Sequence, residues 1–278
     1  MSYLLIPDIH VQTANIHHSS FLLGGPPVMA AFFFAHAMGR QLGKNVRVNG
    51  IAYIHHHRDV LGESFYGRVS LQQRRGAAFT FSNKPRKDYS SKNEHALSLQ
   101  PVASAHLRLS LIIDIDNMES ISSVNRFLHK ARFSGGHIIS HGKPRQYDEL
   151  DEAIDDMPAG FFVMDRRDLM KTGNGKNPAQ IFIDQLGTQY KKETGNTWLA
   201  AACVGYALLT PYACREGARE GYEHAFAEPL VGLVQYRSSR QLADDQNFDN
   251  ETVLWKPEWA KEDVYRLHQD IDSSIERN

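Results

Sequence analysis

Between residues 102 and 115 the chain alternates: Leu107, Leu109 and Leu111 interleave with His106, Arg108 and Ser110. A period of two marks a strand with one buried and one exposed face. Residues 3–6 are apolar throughout and read as a buried strand. Pro26-Pro27 suits the first turn of a helix, where a missing N–H does no harm. Val28 to Leu42 is then helical, with Gly43 as its stop. Val46 to His56 is a second strand. After the alternating third strand, Asp116 or Asn117 can cap a helix over Glu119 to Arg132. Gly135-Gly136 then turns into a fourth strand, Ile138 to Ser140. The sum is β-α-β-β-α-β, the ferredoxin-like order of an α+β protein.

Residues 58–101 interrupt this order. Two β-like runs, Phe65 to Leu71 and Ala77 to Phe81, flank Gln72-Gln73-Arg74-Arg75-Gly76 and read as a protruding hairpin with a basic tip. Ser82 to Asn93 is polar and is expected to be mobile. The second half is less regular and β-rich. Gly160 to Met164 is a strand, and Asp165 to Lys192 is mostly helical with a break at Gly173-Asn174-Gly175. Trp198 to Leu209 and Leu230 to Tyr236 are strands, and Glu258 to Ile275 is an amphipathic C-terminal helix. The divisions expected are a core over 1–164 with its insertion at 58–101, a short helical insert over 165–197, and strands and a helix over 198–278 that complete the core.

At 278 residues the chain can bury a sizeable core. Its formal net charge of −1 argues against a free-standing, non-specific nucleic-acid binder. Charge is nevertheless segregated. Arg74, Arg75, Lys84, Arg86 and Lys87 lie close together, and residues 148–156 carry six carboxylates without a base. Phosphate binding by the basic cluster competes with a solvated turn. Phe79 and Phe81 serve either the core or base stacking. No apolar run reaches the roughly 18 residues that span a bilayer. Without a basic segment ahead of Val28 to Ala35 no signal peptide is read, and a cytoplasmic chain is expected. Cys203 and Cys214 lack metal-type spacing, and Cys203 reads as a buried thiol.

Fourteen histidines invite a metal reading, yet neighbours in a strand point to opposite faces. His55-His56-His57 therefore cannot share one ion and reads as a solvent-facing strand end; His17-His18 is equally weak. No HExxH motif or HxE with a partner CxxC is present. No metal and no cofactor are expected. His36 lies on the first helix, where RNA-cleaving relatives of such a fold carry a general acid or base. The alternative is a ring packed between helix and sheet. Gly173-Asn174-Gly175-Lys176 lacks the second half of a P-loop. Paired glycines at 135–136 let the backbone approach a ligand and present bare N–H groups.

Taken in order, these residues resemble the Csy-two family, the Cas-five-type subunit of the type I-F CRISPR surveillance (Csy, or Cascade) complex. The resemblance runs through Leu4-Leu5-Ile6-Pro7, Ala14-Asn15, Gly25-Pro26, Ala31-Phe32 and Ala35-His36-Ala37. It continues through Ala105 to Leu111, Gly135-Gly136, Pro158-Ala159-Gly160-Phe161, Trp198-Leu199, Gly205-Tyr206, Leu209 to Tyr212, and Glu228 to Val231. It implies an RRM-like, RAMP-superfamily core with the hairpin as a thumb, in a non-catalytic subunit that caps the 5′ handle of the crRNA. RNA contacts then fall to Gln12, Asn15, His18, Arg40, Arg68, Gln72, Arg74, Arg75, Lys84, Arg86, Lys87, Arg132, Gly135 and Gly136. Target double-stranded DNA would meet Lys171, Lys176, Lys191 and Lys192. Implied partners are a Cas-seven-type backbone subunit, a large subunit and anti-CRISPR proteins, with no membrane. The stretch from Asp165 to Trp198 is shorter than the family's usual helical insert. That points to a minimal variant in which this subunit itself reads the protospacer-adjacent motif.

Overall fold

The computed structural model describes residues 2–19, 22–66, 68–71, 73–75, 99–101, 103–170, 177–188, 197–216, 221–245 and 248–270. In chain order they form β1 (Ser2–Asn15), β2 (His17–Ser19), β3 (Leu22–Leu23), α1 (Val28–Leu42) and β4 (Arg47–Val60). Next come β5 (Gly62–Phe65), β6 (Arg68–Leu71), β7 (Gln73–Arg75), β8 (Leu99–Pro101) and β9 (Ser104–Asp116). Then follow α2 (Ile121–Leu128), β10 (Arg132–Phe133), β11 (Gly136–Ser140), β12 (Arg145–Tyr147), α3 (Leu150–Asp155), β13 (Phe161–Asp165) and α4 (Pro178–Thr188). The chain closes with β14 (Leu199–Leu208), β15 (Ala227–Ser238), α5 (Ser239–Ala243), β16 (Lys256–Lys261) and β17 (Val264–His268).

One eleven-stranded sheet dominates, in the order β10-β11-β1-β9-β4-β13-β15-β14-β17-β16, with β12 also paired to β1. Its pairings are all antiparallel. The protein is thus mixed α and β, with a large antiparallel sheet and few helices. Within the sheet, β11, β1, β9 and β4 are neighbours, α1 joins β1 to β4 through the short β2–β3 pair, and α2 lies between β9 and β11.

Helix α1 buries Val28, Met29, Ala31, Phe32, Phe34, Ala35 and Met38 while Phe33, His36 and Arg40 stay exposed. That is the stripe of a 3.6-residue period. It packs on Leu4, Ile6, Leu109, Leu111 and Ile113, and Phe34 meets Phe127 of α2 at 5.2 Å. The other face carries Leu5, Ala52, Ile54 and Ile112 under α3, Leu242 and Leu254. Strand β9 alternates in exposure only to Leu109; from Ser110 to Ile115 both faces are covered.

A bulge in β1 at Pro7-Asp8 breaks the ladder to β9, with Asp8 at φ 49°. The buried Ser110 hydroxyl accepts the Asp8 N–H at 3.0 Å. Its own proton then goes to His56 Nε2 at 2.6 Å, and Nδ1–H donates to the Ala159 carbonyl at 3.1 Å. The histidine triplet is therefore not a solvent-facing strand end: His55 and His56 are largely shielded and only His57 is exposed.

Three further expectations change. Residues 258–268 form the β16–β17 hairpin rather than a helix, with Trp259 on Tyr265 at 5.2 Å across the strands. Gly62–Phe65 (β5) pairs with Arg68–Leu71 (β6), and Arg74 and Arg75 lie in β7 opposite Gln100 and Leu99, while Ala77 to Phe81 falls outside the described residues. Helix α2 spans only Ile121–Leu128, with Ser120 at its N-cap. Asn117 cannot cap it, because it turns the chain at φ 58° and donates its amide to Asn45 O at 3.0 Å.

Candidate nucleic-acid interface

Strands β10 and β11 meet at Ser134 and Gly135, both left-handed, at φ 46° and 77°. Two such central residues make the turn whose twist matches a hairpin. The turn is fastened to the end of β1. Asn15 N–H donates to Ser134 O at 2.8 Å, and the Ser134 hydroxyl donates to Asn15 O at 2.8 Å. Arg132 reaches Gly135 O at 3.4 Å. The two glycines serve different ends. A Cβ on Gly136 would lie 2.7 Å from Ala14 N, Gln12 O and Val11 Cγ1, so β1 itself demands glycine there. Gly135 faces open space and is held to glycine by its φ alone.

Beside this hairpin is an open pocket of about 160 Å³ lined by Asn15, His17, His18, Pro27, Met29, Ala30, Ser134, Cys203 and Tyr206. Helix α1 begins at it with no side-chain cap. Val28 N–H bonds Pro26 O and Ala31 N–H bonds Pro27 O, both at 2.9 Å. The Met29 and Ala30 amides, at the second and third helical positions, have no intrahelical acceptor. A helix N-terminus carries partial positive charge, which suits an anion. The approach is fixed by Gly25: at φ 77°, its Cβ would stand 2.2 Å from Ala201 O of β14.

His18 adds polarity rather than charge. Burial, then the Arg58 guanidinium and His17, pull it down to about 4, so the ring is neutral at pH 7. Its Nε2 is buried without a hydrogen-bond partner in the protein.

Asn15, His18, Arg132, Gly135 and Gly136 thus converge, and Gln12 is exposed one register step away, opposite His137. Arg40 does not join them. It lies ten residues beyond Ala30 along α1, roughly 15 Å away. Arg68 lies in β6, and Arg74 and Arg75 in β7. Gln72, Lys84, Arg86, Lys87, Lys171, Lys176, Lys191 and Lys192 fall outside the described residues. His36 is solvent-exposed, its ring stacked on Phe32 at 6.4 Å, instead of packed between helix and sheet. Sequence reasoning missed Cys203 and Tyr206, which the β14 register brings to the pocket. The absence of a capping side chain before Val28 was readable in advance.

Both cysteines are free thiols, Cys203 buried and Cys214 exposed. Among the described residues no three His, Cys, Asp or Glu side chains cluster as a metal would require. No described helix is long and apolar enough to cross a membrane.

The family model described as CRISPR-associated protein (Cas_Csy2) covers residues 4–187 and 184–267. No curated protein matches the chain.

Proposed function

The chain belongs to the CRISPR-associated Csy2 family, and from that premise we propose that it is a non-catalytic subunit of a type I-F RNA-guided surveillance complex that caps the 5′ handle of the crRNA. The observation that carries this reading is the family match, which runs through both halves of the chain. The local support is the pocket between the Ser134-Gly135 turn and the uncapped start of α1. Bare amides and Arg132 can hold phosphates there, while neutral His18 and Asn15 supply edges for hydrogen bonds.

The strand order β11-β1-β9-β4 with α1 and α2 on one face favours a ferredoxin-like core. Residues 58–101 form the thumb in this proposal, with Arg74 and Arg75 of β7 among its basic residues. Lys171, Lys176, Lys191 and Lys192 are the proposed contacts for target double-stranded DNA. A backbone subunit and a large subunit are the proposed neighbours. Exposed His36, with Phe32 as its ring neighbour, gives cleavage no support.

Co-expression with the products of neighbouring genes and a repeat-containing transcript tests this. A ribonucleoprotein should co-purify, and the isolated subunit should bind handle RNA in EDTA and leave it intact over hours. A subunit that joins no partner and retains no RNA would end the reading. Single-site cleavage lost in His36→Ala would replace it with a nuclease.

A further inference from the structure

Two buried side-chain atoms of β4, Tyr53 Oη and His55 Nδ1, have no hydrogen-bond partner in the protein. Leaving such an atom unpaired is costly, and a ligand that pairs it recovers that cost. Tyr53 is wholly buried, at 0% exposure. The charge of Arg58 acts on both residues, on Tyr236 and on His18 of the pocket at α1. Arg58 itself is exposed and runs beneath the Gly24 turn, where a Cβ would stand 3.0 Å from its Nη1.

Above these groups the sheet presents aromatic rings in a graded series. His55 and Tyr236 lie 5.3 Å apart and are partly shielded. Phe161 pairs with His55 across the β4–β13 ladder and is 37% exposed. Trp198 lies 6.3 Å from Phe161 and is 64% exposed. Trp198 also holds φ at 63°, an outlier for a bulky residue, and accepts the Tyr236 N–H at 3.1 Å. Backbone strain of this sort is kept where the surroundings impose it, and it gathers at ligand sites.

We infer that Trp198, Phe161, His55, Tyr236, Tyr53 and Arg58 form a site for one unstacked nucleobase of a single-stranded nucleic acid. Exposed rings provide a stacking face, which any base offers in return. His55 Nδ1 and the Tyr53 hydroxyl, both shielded in the free protein, become hydrogen-bond partners of the base edge when the exposed rings part to admit it. Arg58 takes the adjoining phosphate. Burial and Arg58 keep His55 neutral at pH 7, with its value near 4, so the floor is polar and uncharged, as a base requires. The inference rests on the reading above only for RNA as the nucleic acid, and none of the site's six residues lines the pocket at α1.

The test uses the full chain carrying Trp259→Phe, so that Trp198 is the exposed fluorophore beside buried Trp255. Nucleoside monophosphates at millimolar concentration, and single-stranded RNAs of about eight nucleotides with one abasic position moved along them, are titrated in. Saturable quenching is expected. Trp198→Ala and Tyr53→Phe should each weaken RNA binding roughly fivefold or more. One abasic position should cost the parent protein the same factor and cost Trp198→Ala nothing further. Tyr53→Phe should not lower the melting temperature, because it removes an unpaired hydroxyl, so the lost affinity cannot be misfolding. RNA bound equally by all variants, with no position special, removes this site and leaves the handle-binding reading standing. No quenching by any nucleotide removes the site whether or not RNA co-purifies.

Discussion

Gly135 and Gly136 are chain neighbours held to glycine for unrelated reasons, and substitution separates them. At Gly136 the atoms that a Cβ would meet are mostly backbone of β1, which cannot swing aside. Gly136→Ala should cost roughly 2 kcal/mol or more, a fall of at least about 4 °C in melting temperature by thermal unfolding. Asparagine tolerates the left-handed region, so Gly135→Asn should unfold within about 1–2 °C of the parent protein. Equal losses at both positions would mean that the turn, not the approach of β1, sets the constraint. The sequence showed that a glycine pair was needed here. It could not show that one of the two answers to strand β1, because that contact joins residues more than a hundred positions apart.

At the scale of elements, the apolar face of α1 and the alternation of β9 were legible because each is a local period. The covering of both faces of β9 from Ser110 onward was not, since it depends on α3 and on Leu242 and Leu254 arriving from elsewhere. The C-terminal segment misled for a related reason. In the sequence Ala260, Val264, Leu267 and Ile271 stand at helical spacing, but pairing Glu258 with Arg266 and Trp259 with Tyr265 favours a hairpin. Ahead of that hairpin, Trp255 is fully buried, exchanges both backbone hydrogen bonds with Ile51 and donates its indole N–H to Val163 O at 2.9 Å. Trp255→Ala should cost about 3–5 kcal/mol. Trp255→Phe should cost nearer 1 kcal/mol, since Gln269 Nε2 also donates to Val163 O. Chemical denaturation reads both. Two small and equal losses would mean that this segment does not tie the last hairpin to β4. The candidate site was legible only in its local parts, Asn15, His18 and the glycine turn; Cys203 and Tyr206, like the ring series at Trp198, needed the strand register.

Across the whole molecule, acid should act through buried histidines on both sides of the sheet. His18 and His55 are pulled down to about 4, chiefly by burial with Arg58 adding to it, and burial also lowers His56. A histidine whose folded value lies below its unfolded value of 6.5 binds its proton more readily when unfolded. Its contribution is complete above pH 6.5 and is lost as pH falls from 6.5 toward 4. While both His18 and His55 are in that window, each can contribute a slope of roughly 1 kcal/mol per pH unit, less where water reaches the ring. Burial raises Asp114 and Asp165, which has the opposite sign, because the folded state then holds the proton more tightly. Their window opens upward from 3.8, so they offset the histidines toward its acid end. The net loss should be clearest between pH 6.5 and 5. Melting temperatures at pH 7.5, 6.5, 5.5 and 5.0 in one buffer series, about half a unit to one unit apart, would trace it. The parent protein should be flat above 6.5 and fall below it, and His55→Gln should fall less steeply. A parent curve that stays level down to pH 5, or a His55→Gln curve parallel to it, would show that His55 does not carry the acid response.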